Sequence, residues 1–543
     1  MKRISISVLC TLCFVIGGFA QTLNVQVGNV TYRFPAAEAG SMPYENGTTL
    51  TVMGKSFILS EVDNIFVDET AVQDSTVSIV YNGSSAAVTV AGNIARFLTV
   101  TQSGAHVSVA QSDDLATEVT YRLSGTSTDG EFYTSGSYKA SLELNGVTLT
   151  NTTPVYSGAA IHVQNSKRID VKVVTGTTNT LRDASTGSQK GALYIKGHAE
   201  FKQKGTLNVY GNLKHGIKTG EYISVKNATI NVLSSVGDGI NCEQYFLMES
   251  GAITLSGIGD DGLQCDIENT ATGSTGQTTG HEGEDSGNIY ISGGSISVNC
   301  QYKGIKAEGD LTVSDGLIAV TSNAAASSNG NHWGGGSSSS SSPEAIESKG
   351  AMTISGGQIY ASSADDALNA GGHLTISGGL VYAHSTSNDG IDSNGNCYIK
   401  GGLVFAISAT SPELGIDANT EGGYKLYVQG GTIVAIGGLE SGASLTQTCY
   451  KASSWSRNTW YSLTVGSDVF AFKTPSSGGS TMVVSGASTP TLQSGVSASG
   501  TSIFEGEGYY PATATGGSSV SLSSYTGGGG GPGGGGHGGG GRW

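Results

Sequence analysis

The sequence predicts an all-β chain of stacked parallel coils, a parallel β-helix, and three observations predict it. The first is composition. Hydrophobic residues make up 37% and charged residues only 13%, and 84 glycines stand against 9 prolines. Ser, Thr, Val, Ile and Gly dominate, a mixture that favours strands joined by tight turns. The second is a repeat. The segments HGIKT, DGINC, DGLQC, KGIKA, EAIES, DALNA, DGIDS and LGIDA place Gly216, Gly239, Gly262, Gly304, Ala345, Ala367, Gly390 and Gly415 at steps of 23, 23, 42, 41, 22, 23 and 25. Each long step is one repeat plus an insertion. The third is a marker running in phase, SGGSIS, SDGLIA, SGGQIY, SGGLVY, KGGLVF and QGGTIV, whose turn glycine steps from Gly357 to Gly379 to Gly402. A period of 22–23 residues with strand-like alternation means stacked coils of about three short strands each. Helical repeats would need a period of 3.6. Leucine-rich repeats would need leucine as the recurring residue, and it is not.

Taken in order, residues 1–20 read as a secretory signal: a basic MKR, an apolar run, and Gly18 and Ala20 before Gln21. Residues 21–75 read as a small β cap, 76–450 as the coil array, and 451–525 as a β-rich C-terminal segment. Residues 526–543 form a Gly-rich tail expected to be disordered. No later apolar run is long enough to span a bilayer as a helix. The expectation is a secreted monomer in the extracellular space, at the cell surface or in the periplasm. A formal charge of −16 argues against a nucleic-acid partner.

Within the array one column points inward: Ile217, Ile240, Leu263, Ile305, Ile346, Leu368, Ile391 and Ile416. Two positions on stand small residues, among them Cys242 and Cys265 on adjacent rungs. Rungs about 4.8 Å apart fall within disulfide range, so the pair is a candidate disulfide as well as a pair of small buried residues. Five cysteines follow the signal, so at least one thiol is unpaired within the chain.

The outward positions carry the chemistry. Before the glycine stand His215, Asp238, Asp261, Lys303, Glu344, Asp366, Asp389 and Leu414, with Asp260 and Asp365 adding second acids. The next outward column holds Lys218, Asn241, Gln264, Lys306, Glu347, Asn369, Asp392 and Asp417. Two carboxylates one rung apart repel by roughly 3.5 kcal/mol at an effective dielectric near 20. In a sheltered groove they need a cation or raised pKa values. Calcium takes about 6–8 oxygens and suits acids on successive rungs. The candidate ligands are Asp238, Asp260, Asp261, Glu344, Asp365, Asp366, Asp389 and Asp392. The competing reading is a set of Asp-Gly turns on a screened surface.

Two insertions, about 268–287 and 323–343, are expected to rim this face and carry His281, Glu282, Glu284, His332 and Trp333. Candidate ligand contacts are Asn241, Gln264, Asn369 and Trp333, the last either stacking on a sugar or anchoring its loop. Were the chain an enzyme of uronate-lyase type, the base would be Lys303 or Lys306 with a depressed pKa. The simpler reading is lysines that neutralise their acidic neighbours. No Ser-His-Asp arrangement or phosphate loop occurs; a glycosidase pair among the many acids stays open, because sequence does not give the carboxylate spacing, and no other catalytic residue is assigned.

The stretches VTYRLSGTSTDGEFYTSGSYKASLELNGVTLTN and GAAIHVQNSKRIDVKVVTGTTNTLRDAS, followed by the DDG and SGG rungs, resemble the secreted bacterial carbohydrate-binding β-helix proteins. These are similar in architecture to calcium-dependent polysaccharide lyases. The resemblance covers about residues 75–525. It implies a right-handed parallel β-helix, bound Ca2+, and binding of plant cell-wall-type polysaccharide along one face without established catalysis. The rungs at Lys303 and Leu414 depart from the acid-Gly pattern and imply separate ion sites. The alternatives are a calcium-dependent uronate polysaccharide lyase and a structural surface adhesin.

Overall fold

The computed structural model describes residues 21–267, 280–281, 283–325 and 342–527. The expected signal, the expected tail from residue 528 on, and Glu282, His332 and Trp333 lie outside the described residues.

The chain is all-β apart from a four-residue helix, Gly92–Ala95, and a short 3-10 turn, Phe504–Gly506. The expected right-handed parallel β-helix does not describe it. Among the described residues the strands gather into a 29-stranded sheet, a 12-stranded sheet, a three-stranded sheet and a closed four-stranded barrel. Three separate short strands per coil were expected, but consecutive strands run together. Asn288–Cys300 is a single strand that pairs with both Tyr245–Met248 and Ala252–Ile258. Leu311–Ser322 likewise pairs with both Met352–Ile354 and Gln358–Ser363. Antiparallel pairs enter at both ends, Thr22–Val27 with Val30–Pro35 and Thr432–Ile436 with Met482–Ser485. The barrel strands Trp460–Val465, Asp468–Lys473, Thr491–Ile503 and Gly508–Val520 are antiparallel throughout. A repeat period fixes which residue stands over which. It fixes neither where hydrogen bonding continues round a corner nor what closes the ends.

What the period does specify is the parallel ladder of the 12-stranded sheet. Ile217 pairs with Ile240, Ile240 with Leu263, Leu263 with Ile305 and Ile305 with Ile346. All eight residues of this column are at most 1% exposed. Each contributes roughly 1.5–3 kcal/mol by leaving water. Thr219, Cys242, Cys265, Ala307, Ser348, Ala370, Ser393 and Ala418 form the adjoining small column, equally buried.

The expected Cys242–Cys265 disulfide is corrected. The two residues are in register, yet both are free, buried thiols. In a parallel ladder their side chains point the same way, side by side, and Cys242 Sγ instead lies 3.8 Å from the Tyr245 carbonyl oxygen. Burial, and then the neighbouring Cys242, raise the Cys265 thiol well above its usual pKa and keep it protonated.

At the C-terminal end the barrel covers one outer face of the repeats. Phe470, Phe472 and Phe504 pack with Tyr382 and Phe405. Over these last repeats that face is covered, and the recurring acids stand on the 12-stranded sheet.

Candidate functional site

The acid-Gly-Ile motif has a local structural cause. Gly216, Gly239, Gly262 and Gly304 each donate a backbone N–H to the residue before the next rung's glycine. Ile217, Ile240, Leu263 and Ile305 then donate to the next glycine or alanine carbonyl at 2.9–3.0 Å. A Cβ on Gly304 would sit 1.9 Å from Val320 Cγ1 of the other sheet and 2.5 Å from the Ala345 carbonyl oxygen of the next rung, and one on Gly262 2.3 Å from Val298 Cγ1 and 2.4 Å from the Gly304 carbonyl oxygen. Glycine is required here for space.

The acids are tied into the same ladder. Asp261 N–H donates to Asp238 Oδ1 at 3.3 Å, Lys303 N–H to Asp261 Oδ1 at 2.9 Å, and Asp389 N–H to Asp366 Oδ1 at 3.1 Å. His215 fills this role on its own rung, its Nδ1 accepting the Asp238 N–H at 3.0 Å. The second carboxylate oxygen takes an amide three residues on: Asn241 donates to Asp238 Oδ2 at 2.7 Å and Asn369 to Asp366 Oδ2 at 2.9 Å. One acid thus caps the next rung and holds an Asn.

Structural capping does not account for how many acids meet. Carboxylate oxygens of Asp238, Asp260 and Asp261 all lie within 4.8 Å of one another, and so do those of Asp389, Asp392 and Asp417. Burial pushes the Asp238 carboxyl up to about 7, with Asp261 and Asp260 adding to the push. Burial, then Asp417, Asp392 and Glu413, push Asp389 up to about 8. Burial and Asp417 push Asp392 up to about 7. Asp366 is raised well above its usual value by burial and then by Asp392, Asp365 and Asp389. Asp261 is also raised, chiefly by burial. Among the described residues no lysine or arginine forms an ion pair with any of these acids. Lys218 is spent on Glu243, Lys303 on Glu344 and Glu347, and Lys349 on Glu347. His215, 3.3 Å from Asp238 Oδ2, stays neutral because burial, and then neighbouring lysines, lower its pKa to about 3.

Carboxylate oxygens no more than 4.8 Å apart can reach a single calcium ion. Two ligands at about 2.4 Å on opposite sides of an ion stand about 4.8 Å apart. The eight expected ligands do not form one site. Asp238, Asp260 and Asp261 make the first cluster, and Asp389 and Asp392 belong to the second with Asp417. Asp366 lies beside the second cluster. Glu344 pairs with Lys303 Nζ at 2.5 Å. Asp365 accepts from Ser342 Oγ and Asn388 Nδ2, each at 2.7 Å.

The expected contact residues are turned partly to other work. Asn241 and Asn369 hold the acids, and Gln264 donates to Asp266 Oδ1 at 2.5 Å. His281, expected over the acids, instead stacks on Tyr290 at 4.0 Å and bonds Glu284 at 2.8 Å. Of the lysines proposed as bases, Lys303 keeps a raised pKa. Burial lowers it, but Glu344 and Glu347 outweigh burial. Lys306 stands 4.0 Å from Glu308.

The family of carbohydrate-binding domain-containing proteins matches residues 103–412, more than half of the chain. The chain belongs to that family. No curated protein matches this carbohydrate-binding domain-containing chain. Among solved structures it is similar to a polysaccharide lyase-like protein from C. thermocellum, a gadolinium derivative. The identity is 20%, the match covers 46% of this chain and 92% of that one, and the TM-score is 0.36. So distant a likeness places no residue.

The stretch that matches the carbohydrate-binding family contains a feature the repeat did not announce. Tyr133, His162 and Tyr194 stand in register on the outward face of the 12-stranded sheet and lead directly into Lys218, Asn241 and Gln264. Tyr133 and His162 pack edge to face at 4.8 Å, His162 and Tyr194 at 4.7 Å, and Tyr156 flanks Tyr133 at 5.9 Å. Tyr133, Tyr156 and His162 are half-buried. Burial lowers the pKa of His162, which is therefore neutral near pH 7. From Tyr133 to Asp392 this column runs ten rungs, roughly 43 Å at the usual strand spacing. Among the described residues, Asp417 and this aromatic segment are the members that sequence reasoning left out of the site.

Proposed function

We propose that this chain is an exported, calcium-binding protein that holds polysaccharide of plant cell-wall type along the outward face of the 12-stranded sheet. One observation carries the reading. Within the family-matched residues, that face joins an aromatic segment to clustered aspartates that, among the described residues, form no ion pair with a lysine or arginine. Aromatic and amide groups in line suit a sugar polymer, whose rings offer apolar faces and hydroxyls by turns. Asp238, Asp260 and Asp261 would hold one ion, and Asp389, Asp392 and Asp417 a second. Calcium bound there supplies positive charge and open coordination positions for glycan oxygens. The chain's own residues do the rest. Tyr133, Tyr156 and His162 seat sugar rings, the buried Tyr194, Lys218 and Asn241 brace the face beneath them, and the glycine-tight ladder keeps it rigid. The apolar, basic-headed residues 1–20 support export.

The lyase alternative asks for a lysine that gives up its proton near neutrality, and two carboxylates hold Lys303 in the charged state. The binding reading is tested on an array of plant polysaccharides with purified protein, in calcium and after chelation, with ultraviolet absorbance followed in the supernatant. Binding without an absorbance rise is expected. A rise on uronate polymers would replace the reading with a lyase, and an array without signal would leave the adhesin.

A further inference from the structure

A second, oppositely charged site lies outside the acid ladder. A cavity of about 180 Å3 opens on the outer face of the strands Val30–Pro35, Ser85–Ala91, Thr76–Asn82 and Val119–Ser127. These four lie side by side: Arg33 pairs with Ala91, Thr89 with Ser78, and Ser78 with Arg122. The middle strands contribute the short residues Thr76, Ser78 and Thr89 as a floor, between Arg33 on one side and Arg122 on the other. Gln73 forms part of the wall and fixes Arg122, whose Nη1 donates to Gln73 Oε1 at 2.8 Å.

The charges do not cancel within the cavity. Arg122 Nε donates to Glu143 Oε2 at 2.8 Å, but Glu143 also pairs with Lys172 at 3.5 Å. Arg33 Nε is buried with no hydrogen-bond partner. Asp68 is within reach of the Arg33 charge, but it takes the Thr70 N–H at 3.0 Å and does not line the cavity. A buried guanidinium nitrogen left unpaired loses its hydration without compensation. An oxygen acceptor in the cavity would supply that compensation. In a chain of net charge −16, two arginines lining one cavity together with hydroxyls are a local reversal of sign.

We infer that this cavity binds an anionic oxygen group, a carboxylate or a sulfate ester, held between Arg33 and Arg122 over Ser78 and Thr89. Guanidinium forks bind planar oxyanions through paired hydrogen bonds, and hydroxyls complete the shell. The cavity is too small for more than one such group with its immediate carrier. The site stands on its own geometry and survives if the acid ladder binds nothing.

The test uses the full mature chain, stripped of calcium and dialysed free of chelator, because a chelator is itself a polycarboxylate. Ligand-observed NMR titrations with glucuronate, inorganic sulfate and glucose are compared. Glucuronate, sulfate or both bind, more weakly as salt rises, and glucose does not. Binding of glucuronate alone assigns a carboxylate, and binding of sulfate adds sulfate esters. Arg33→Gln and Arg122→Gln each weaken binding at least tenfold. Ser78→Asp, which leaves both arginines in place and puts a negative charge on the floor, abolishes it. Each variant is first checked for an unchanged thermal transition. The inference is overturned if neither anion binds, if glucose binds equally well, or if binding survives Arg33→Gln and Ser78→Asp.

Discussion

At the scale of single residues, the recurring acids serve two ends. Asp238, Asp261, Asp366 and Asp389 each cap the next rung's backbone N–H through one carboxylate oxygen, so an acid-to-amide change keeps that acceptor while it removes the charge and the second acceptor oxygen. Asp238→Asn with Asp261→Asn is therefore expected to leave the fold intact and to remove one calcium from the stoichiometry measured by calorimetry. Asp389→Asn with Asp392→Asn should remove the other. Unchanged stoichiometry in either pair would remove that cluster from the account. The pH dependence follows from the sign of the shifts. Carboxyls whose folded pKa lies above the unfolded value bind more protons in the native state, so stability falls as pH rises through that interval. For Asp238, Asp389 and Asp392 the interval runs from about 4, the unfolded value, to about 7 or 8. The calcium-free protein should lose melting temperature between pH 4 and pH 8, and millimolar calcium should restore it at the upper end. A calcium-free melting temperature that rises over the same interval would contradict the buried, unpaired acids.

At the scale of the elements, the ladder explains why glycine recurs after the acid. Gly304→Ala would place Cβ against Val320 Cγ1 and the Ala345 carbonyl. A loss of about 1–3 kcal/mol is expected in urea unfolding, as for other overpacked cores. Ile305→Ala, which empties a fully buried position, should cost about 2–5 kcal/mol. Near-neutral values would mean that the rungs relax more freely than their hydrogen bonds suggest. The inward column was legible in the sequence because every rung buries one Ile or Leu at the same step. The aromatic segment was not. Tyr133, His162 and Tyr194 are 29 and 32 residues apart, outside the 22–23 period, and their rungs lack the acid-Gly marker. Asp417 was hidden by its own rung, where Leu414 occupies the acid position. The disulfide expectation failed because strand spacing alone says nothing of how two sulfurs must turn to meet.

At the scale of the whole molecule, the period spoke for parallel pairing but not for the joining of successive strands into a 29-stranded sheet, nor for the barrel that covers one outer face of the last repeats. Those depend on backbone hydrogen bonding round corners and on antiparallel strands at the ends, which leave no repeat. The Arg33–Arg122 cavity was illegible for a related reason, since its walls come from four strands spread over almost a hundred residues. Across the 12-stranded sheet runs one long face, aromatic at one end and acidic at the other, in a chain that belongs to a carbohydrate-binding family. The measurement that tests this most directly is a binding isotherm of the purified mature protein on a pectin-type polysaccharide, in millimolar calcium and again after chelation. A Tyr133→Ala variant is run alongside. The account predicts saturable binding in calcium, at least tenfold weaker binding after chelation, and a comparable loss in the variant with its melting temperature unchanged. Binding that is indifferent to both calcium and Tyr133 would contradict it.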